Sequence, residues 1–222
     1  MKFNKTLLVG VVAASTLAAG VFSTAANAEV VASAGVASLY YWRGFDLGGG
    51  IPQVSGDIHY TESGFTAGIW GGSGDTNGGS ETDLYAGYAG GEADGFNYDV
   101  TAWTYAYPNT KVVKGETVEP KPAGKLSEVV VGLGYGPVKF TYYSNIAGAP
   151  GYSYVTLAGT MGAFSATLGK HNKGMDDATH LDLGYAYNDR LKFTLGKVLK
   201  SDESAAEDEP RFVVSYTLPL EN

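Results

Sequence analysis

The stretch HLDLGYAYNDRLKFTLGK, residues 180–197, decides the fold. Successive side chains of an extended chain point to opposite faces, so Leu181, Leu183, Tyr185 and Tyr187 share one face and His180, Asp182, Gly184, Ala186 and Asn188 the other. Asn188-Asp189 supplies a tight turn, and a second extended run follows over 190–199. One face is greasy and the other polar, which suits a strand with an apolar environment on one side and a wetter one on the other.

The same grammar recurs along the chain. Strands are predicted near 31–42, 51–60, 64–72, 80–90, 95–107, 125–136, 137–147, 151–161, 163–171, 178–188, 190–199 and 210–220. Leu84, Ala86 and Tyr88 oppose Glu81, Asp83 and Tyr85, and Phe96, Tyr98, Val100 and Ala102 oppose Asn97, Asp99, Thr101 and Trp103. In the last segment Phe212, Val214, Tyr216, Leu218 and Leu220 form the apolar face. Tight turns follow the even segments: 61–64, 91–94, Gly136-Pro137, Gly162 and Asn188-Asp189. Mostly longer connections follow the odd ones: 43–50, 72–79, 108–124, 172–177 and 200–209, with 148–150 the short exception.

Short turns at one end and long loops at the other describe an all-β, antiparallel, up-and-down transmembrane barrel of about 12 strands, with periplasmic turns and extracellular loops. Its polar faces carry Asp57, His59, Glu81, Asp83, Asp99, Glu128, Lys139, His180, Asp182, Lys192 and Arg211, the candidate pore-lining residues. In a soluble β-sandwich these would be the solvated outer faces. The asymmetry of the connections favours the barrel, as do aromatic residues near strand ends, Tyr60, Tyr135, Tyr152 and Tyr187, placed for interfacial girdles.

The N-terminus agrees with export. Lys2 and Lys5 precede an apolar stretch from Leu7 to about Phe22, and Ala26-Asn27-Ala28 completes a secretory signal peptide over residues 1–28, with the barrel domain at 29–222. Cleavage there leaves 13 Lys and Arg against 23 Asp and Glu, a formal charge of −10, which argues against a nucleic-acid partner. No apolar run after residue 28 approaches the roughly 20 residues of a spanning helix. The chain has no cysteine, so disulfides and lipoprotein attachment are excluded.

Residues 40–75, YYWRGFDLGGGIPQVSGDIHYTESGFTAGIWGGSGD, followed by ETDLYAGY (81–88), GFNYDV (95–100) and YAYP (105–108), resemble the TorF family of proteobacterial porins. Matching positions include Arg43-Gly44, Gln53, Asp57, Gly64-Phe65, Gly68, Trp70, Glu81, Asp83, Tyr85, Gly87 and Asp99. The resemblance implies an outer-membrane barrel acting as a pore, with no assigned catalytic residues.

Chemistry beyond a pore finds little support in the sequence. His59 and His180 each lie two residues from an acid, Asp57 and Asp182, but no serine is marked as partner to them or to His171, as a lipid hydrolase would need. Luminal packing is the expected role of all three, with no enzymatic activity. Asp75-Thr76-Asn77-Gly78 begins like a calcium loop, yet Ala86 stands where a bidentate Glu belongs, so no metal or cofactor is expected. Asp202, Glu203, Glu207, Asp208 and Glu209, and Lys111, Lys114, Lys121 and Lys125, form charged loops placed to meet lipopolysaccharide or lipid headgroups, or simply to stay solvated. The expected partners are outer-membrane lipid, lipopolysaccharide and small hydrophilic solutes; a structural or adhesion barrel and a lipid-modifying enzyme are the rivals to a passive porin.

Overall fold

Alternation of this kind leaves each strand needing two neighbours, and a sheet avoids bare edges only by closing on itself. The computed structural model shows that closure. It describes residues 28–75, 79–92, 94–109, 111–113, 116–202 and 209–220. Residues 1–27 of the expected leader (1–28), Thr76, Asn77 and Gly78 of the calcium-like stretch, and Lys114, Glu203, Glu207 and Asp208 of the charged loops lie outside the described residues.

In chain order the strands are β1 (Glu29–Ala37), β2 (Tyr41–Trp42), β3 (Phe45–Asp46), β4 (Gln53–Glu62), β5 (Phe65–Asp75), β6 (Gly79–Gly91), β7 (Phe96–Ala106), β8 (Lys111–Val113) and β9 (Glu116–Val118). They continue as β10 (Ser127–Tyr135), β11 (Val138–Ala147), β12 (Ser153–Met161), β13 (Phe164–Asn172), β14 (Thr179–Ala186), β15 (Leu191–Lys200) and β16 (Arg211–Leu220). Twelve of them form a closed antiparallel barrel in which β16 returns to β1 and β7 pairs directly with β10. The small hairpins β2–β3 and β8–β9 are separate two-stranded sheets that contribute no strand to the ring. Every neighbouring pair of barrel strands is antiparallel, from Ala32 opposite Leu220 to Glu29 opposite Thr61.

The period-two split sets the two faces. On β14 Leu183 is 47 % exposed on the outside while Asp182 is 7 % exposed within. Val54, Ile58, Ile69, Leu84, Val100, Phe140, Leu157, Leu168, Leu195 and Phe212 continue the outward apolar band, the surface a transmembrane barrel presents to lipid. Tyr60, Tyr135 and Tyr187 lie on the outside near the short turns, as a girdle requires. Tyr152 does not: its hydroxyl turns inward to Arg43 and His171, because a buried cation and imidazole offer partners that the apolar outer face lacks.

One boundary differs in a way that matters. The first strand, expected to run through residue 42, stops at Ala37, and residues 38–52 fold into the barrel as an inserted segment whose tip is the β2–β3 hairpin. Tyr41 is fully buried and Arg43 is 4 % exposed. The strand ends there because Tyr40, Tyr41, Trp42 and Phe45 are too apolar for a solvated loop and find aromatic and carboxylate partners inside.

Candidate functional site: the luminal network around Arg43

Arg43 and Gly44 form the two-residue turn of the β2–β3 hairpin, both with positive φ (48° and 94°). Such a turn matches the twist of the paired strands. A Cβ on Gly44 would lie 2.8 Å from the His180 ring, so glycine serves both the backbone and the close approach.

The guanidinium of Arg43 enters a cage built mainly by the barrel wall. Glu128 of β10 takes both of its terminal nitrogens, one of them at 3.3 Å, and Tyr152 accepts from it at 3.3 Å. The ring centroids of Trp42, Tyr143 and Tyr154 lie 4.4, 4.2 and 4.8 Å from its central carbon. Tyr105 donates a further hydrogen bond to Glu128. Burial opposes the charge on the guanidinium, but Glu128 together with Tyr152, Tyr105 and Tyr143 more than offsets it and holds the pKa well above the usual arginine value.

Two local irregularities aim the wall residues. The β10–β11 register shifts between Ser127 and Glu128, and the β14–β15 register between Thr179 and His180. Bulges of this kind bend a strand and redirect the side chain beside them, here toward the inserted hairpin.

Histidines lock the hairpin from below. His171 Nε2 lies 2.8 Å from the Arg43 carbonyl, which can only accept, so that nitrogen carries the proton and Nδ1 accepts from Tyr152 at 2.9 Å. His180 Nδ1 faces Asp182 at 3.1 Å and its Nε2 meets the Tyr154 hydroxyl at 2.7 Å. Tyr41 donates to the same Asp182 oxygen at 2.5 Å. Tyr40 donates to Glu81 at 2.5 Å, and Tyr107 holds that carboxylate's other oxygen at 2.7 Å. Burial, then the Glu81 charge, push the Tyr40 hydroxyl pKa far up, so it remains a donor.

The wall is thin where large side chains must lie flat. A Cβ on Gly169 would overlap the His180 ring and the Tyr154 hydroxyl. Gly169→Val is expected to cost roughly 1–3 kcal/mol by overpacking, whereas Gly71→Ala, whose nearest neighbour is an ordinary 3.7 Å contact, should be close to neutral. Urea titration of the refolded barrels in vesicles checks the difference.

The expected lining residues therefore divide. Glu81, Asp83, Glu128, His180 and Asp182 are buried around the inserted segment at the loop end. Asp57, His59, Asp99, Lys139 and Lys192 occupy the rest of the lumen, where Asp57 meets His59 at 2.6 Å and Tyr85 at 2.8 Å, and Lys139 meets Asp99 at 3.0 Å. Tyr85 in turn stacks on Trp103 with centroids 4.3 Å apart. Arg211 is in register with Gly196, itself opposite Asp182, and its buried Nε has no partner among the described residues. The three histidines are luminal, with Asp, Tyr or backbone carbonyl partners and no serine among them. No cluster of three or more metal-ligating side chains occurs among the described residues.

Above the cage lies a cavity of about 310 Å³ lined in part by Tyr40, Trp42, Arg43, Glu81, Tyr105 and Glu128. Sequence reasoning missed the aromatic cage and Arg43, though YYWRGFD carried a signal: four aromatic residues in seven are a poor composition for a solvated loop. Among comparisons with known proteins, the model of Gcw_chp, described as a bacterial protein of unknown function, matches residues 22–194. No curated protein matches the chain.

Proposed function

The chain belongs to the Gcw_chp family, and from its barrel we propose that it is an outer-membrane porin through which small hydrophilic solutes or ions diffuse along a lumen narrowed by residues 38–52. The observation that carries this reading is the closed twelve-stranded ring with an apolar outside and a charged inside. The likeness of residues 40–108 to TorF-family porins supports it, as does the signal-peptide pattern of residues 1–28. The short turns then face the periplasm and the inserted segment closes on the lumen from outside the cell. No catalytic step or cofactor enters this reading.

Ions passing the narrowed lumen meet the field of its charged groups. Asp57 is the most accessible acid of this set, its side chain 17 % exposed, and it has no Lys or Arg partner among the described residues. Asp57→Lys is expected to move the reversal potential of single channels under a salt gradient toward anion selectivity. Asp182→Lys and Asp83→Lys should act in the same direction and loosen the inserted segment as well, because both acids are buried beside it. Unchanged selectivity in all three variants would sink the reading.

A second reading has its own observation. The loop end is so densely paired that a permanently closed structural or adhesion barrel fits it too. Planar-bilayer recording separates the two: discrete conductance steps from inserted protein support the porin, and silence at every voltage supports the closed barrel.

A further inference from the structure

Arg43 is held the way a receptor holds a ligand. Apart from Trp42, the groups that touch its guanidinium stand on the barrel wall or beside it: Glu128 on β10, Tyr143 on β11, Tyr154 on β12 and Tyr152 at the start of β12. A carboxylate offering both oxygens suits a planar guanidinium, which presents its donors as a fork, better than it suits a compact ammonium. Aromatic faces on several sides add cation–π attraction where water is excluded.

Two of these wall groups have partners besides the hairpin, whereas Tyr152 is held by Arg43 and His171. Glu128 is fixed by the bulge at Ser127 and by Tyr105, and Tyr154 by His180. The hairpin contributes mainly the occupant. We propose that the barrel wall carries a guanidinium-binding site, formed by Glu128, Tyr143, Tyr152 and Tyr154, which Arg43 fills as an internal ligand and which a guanidinium-bearing solute takes when the hairpin withdraws. The cavity of about 310 Å³ beside the cage gives such a solute room for the remainder of its body.

This inference rests on the porin reading only for the route by which a solute arrives. The site itself is tested by binding, whether or not the barrel conducts. The informative variant is Arg43→Gly, because Arg43 sits at a φ of 48°, a conformation that glycine adopts without strain. Isothermal calorimetry with methylguanidinium should show saturable binding to the refolded R43G barrel, at least about tenfold tighter than methylammonium, which lacks the fork. Wild-type protein should show none at the same concentrations, its site being filled, and R43G/E128Q should lose it.

If R43G does not recover the heat-modifiable mobility of a folded barrel, Arg43→Asn serves, since asparagine also tolerates this backbone. Wild-type protein gives a variant-free check: at concentrations well above those that saturate R43G, methylguanidinium competing with Arg43 should change the Trp emission, because Trp42 stacks on that side chain, and methylammonium should not. Equal affinity for the two ions, equal binding to R43G and R43G/E128Q, or no binding to a folded Arg43 variant overturns the proposal. Binding without any conductance would uphold the site and remove the pore.

Discussion

Glu128→Gln is expected to open the barrel. The substitution keeps the size of the side chain and removes only its charge, leaving the Arg43 guanidinium, 4 % exposed, without a counter-ion. Breaking a buried ion pair from one side costs about 3–5 kcal/mol. Withdrawal of the β2–β3 hairpin to solvent is the route that avoids this cost. The other polar anchors, Tyr40 to Glu81, Tyr41 to Asp182 and His171 to the Arg43 carbonyl, are hydrogen bonds, each worth less than the pair that is lost. The balance between inserted and withdrawn segment should therefore shift by a factor on the order of a hundred or more.

The expected readout is a larger and longer-lived conductance in planar bilayers, with Trp emission shifted to the red as Trp42 leaves the cage and new protease sensitivity within residues 38–52. Arg43→Gly should resemble E128Q in conductance but be milder in stability, because it leaves a carboxylate that Tyr105 still holds. Conductance, emission and proteolysis all matching wild type would show that the segment is not the constriction.

Leu168→Arg is the second large effect, and it tests the outside of the barrel. Leu168 lies at the middle of β13, 46 % exposed, with Leu157 and Leu181 as its cross-strand neighbours. At the midplane of a bilayer an outward arginine costs about 2–4 kcal/mol, falling to about 0–1 near the interface. Tyr135→Arg, beside the tight turn at Gly136, samples the interface. Urea unfolding in vesicles should separate the two variants by roughly 2 kcal/mol or more. Equal, small effects would mean that the outward face meets water, and the membrane reading would fail with them.

Period two, the turn residues and their spacing are local properties, and they sufficed for strand number, for the antiparallel order and for the inward or outward sense of residues such as Asp182 and Leu183. That sense is fixed because a slip of one residue would send the charges of a strand to the apolar side. Glu81, Asp83, Asp99 and Glu128 were legible as luminal for the same reason. Their partners were not. Arg43 and Glu128 are 85 residues apart, and Tyr41 and Asp182 are 141 apart. No local pattern links such pairs, and a tyrosine near a strand end reads alike whether it faces outward, as Tyr187 does, or joins a cage, as Tyr152 does.

Sequence by itself determined the barrel, its polarity and the identity of its luminal charges, since alternation acts through nearest neighbours along the chain. Only the tertiary structure decided that residues 38–52 turn inward and that Arg43 is clasped by Glu128 and three aromatic rings. The reason is physical: closing the ring brings β10, β11 and β12 around one point of the lumen, and a buried cation goes where a counter-charge and aromatic faces have already converged.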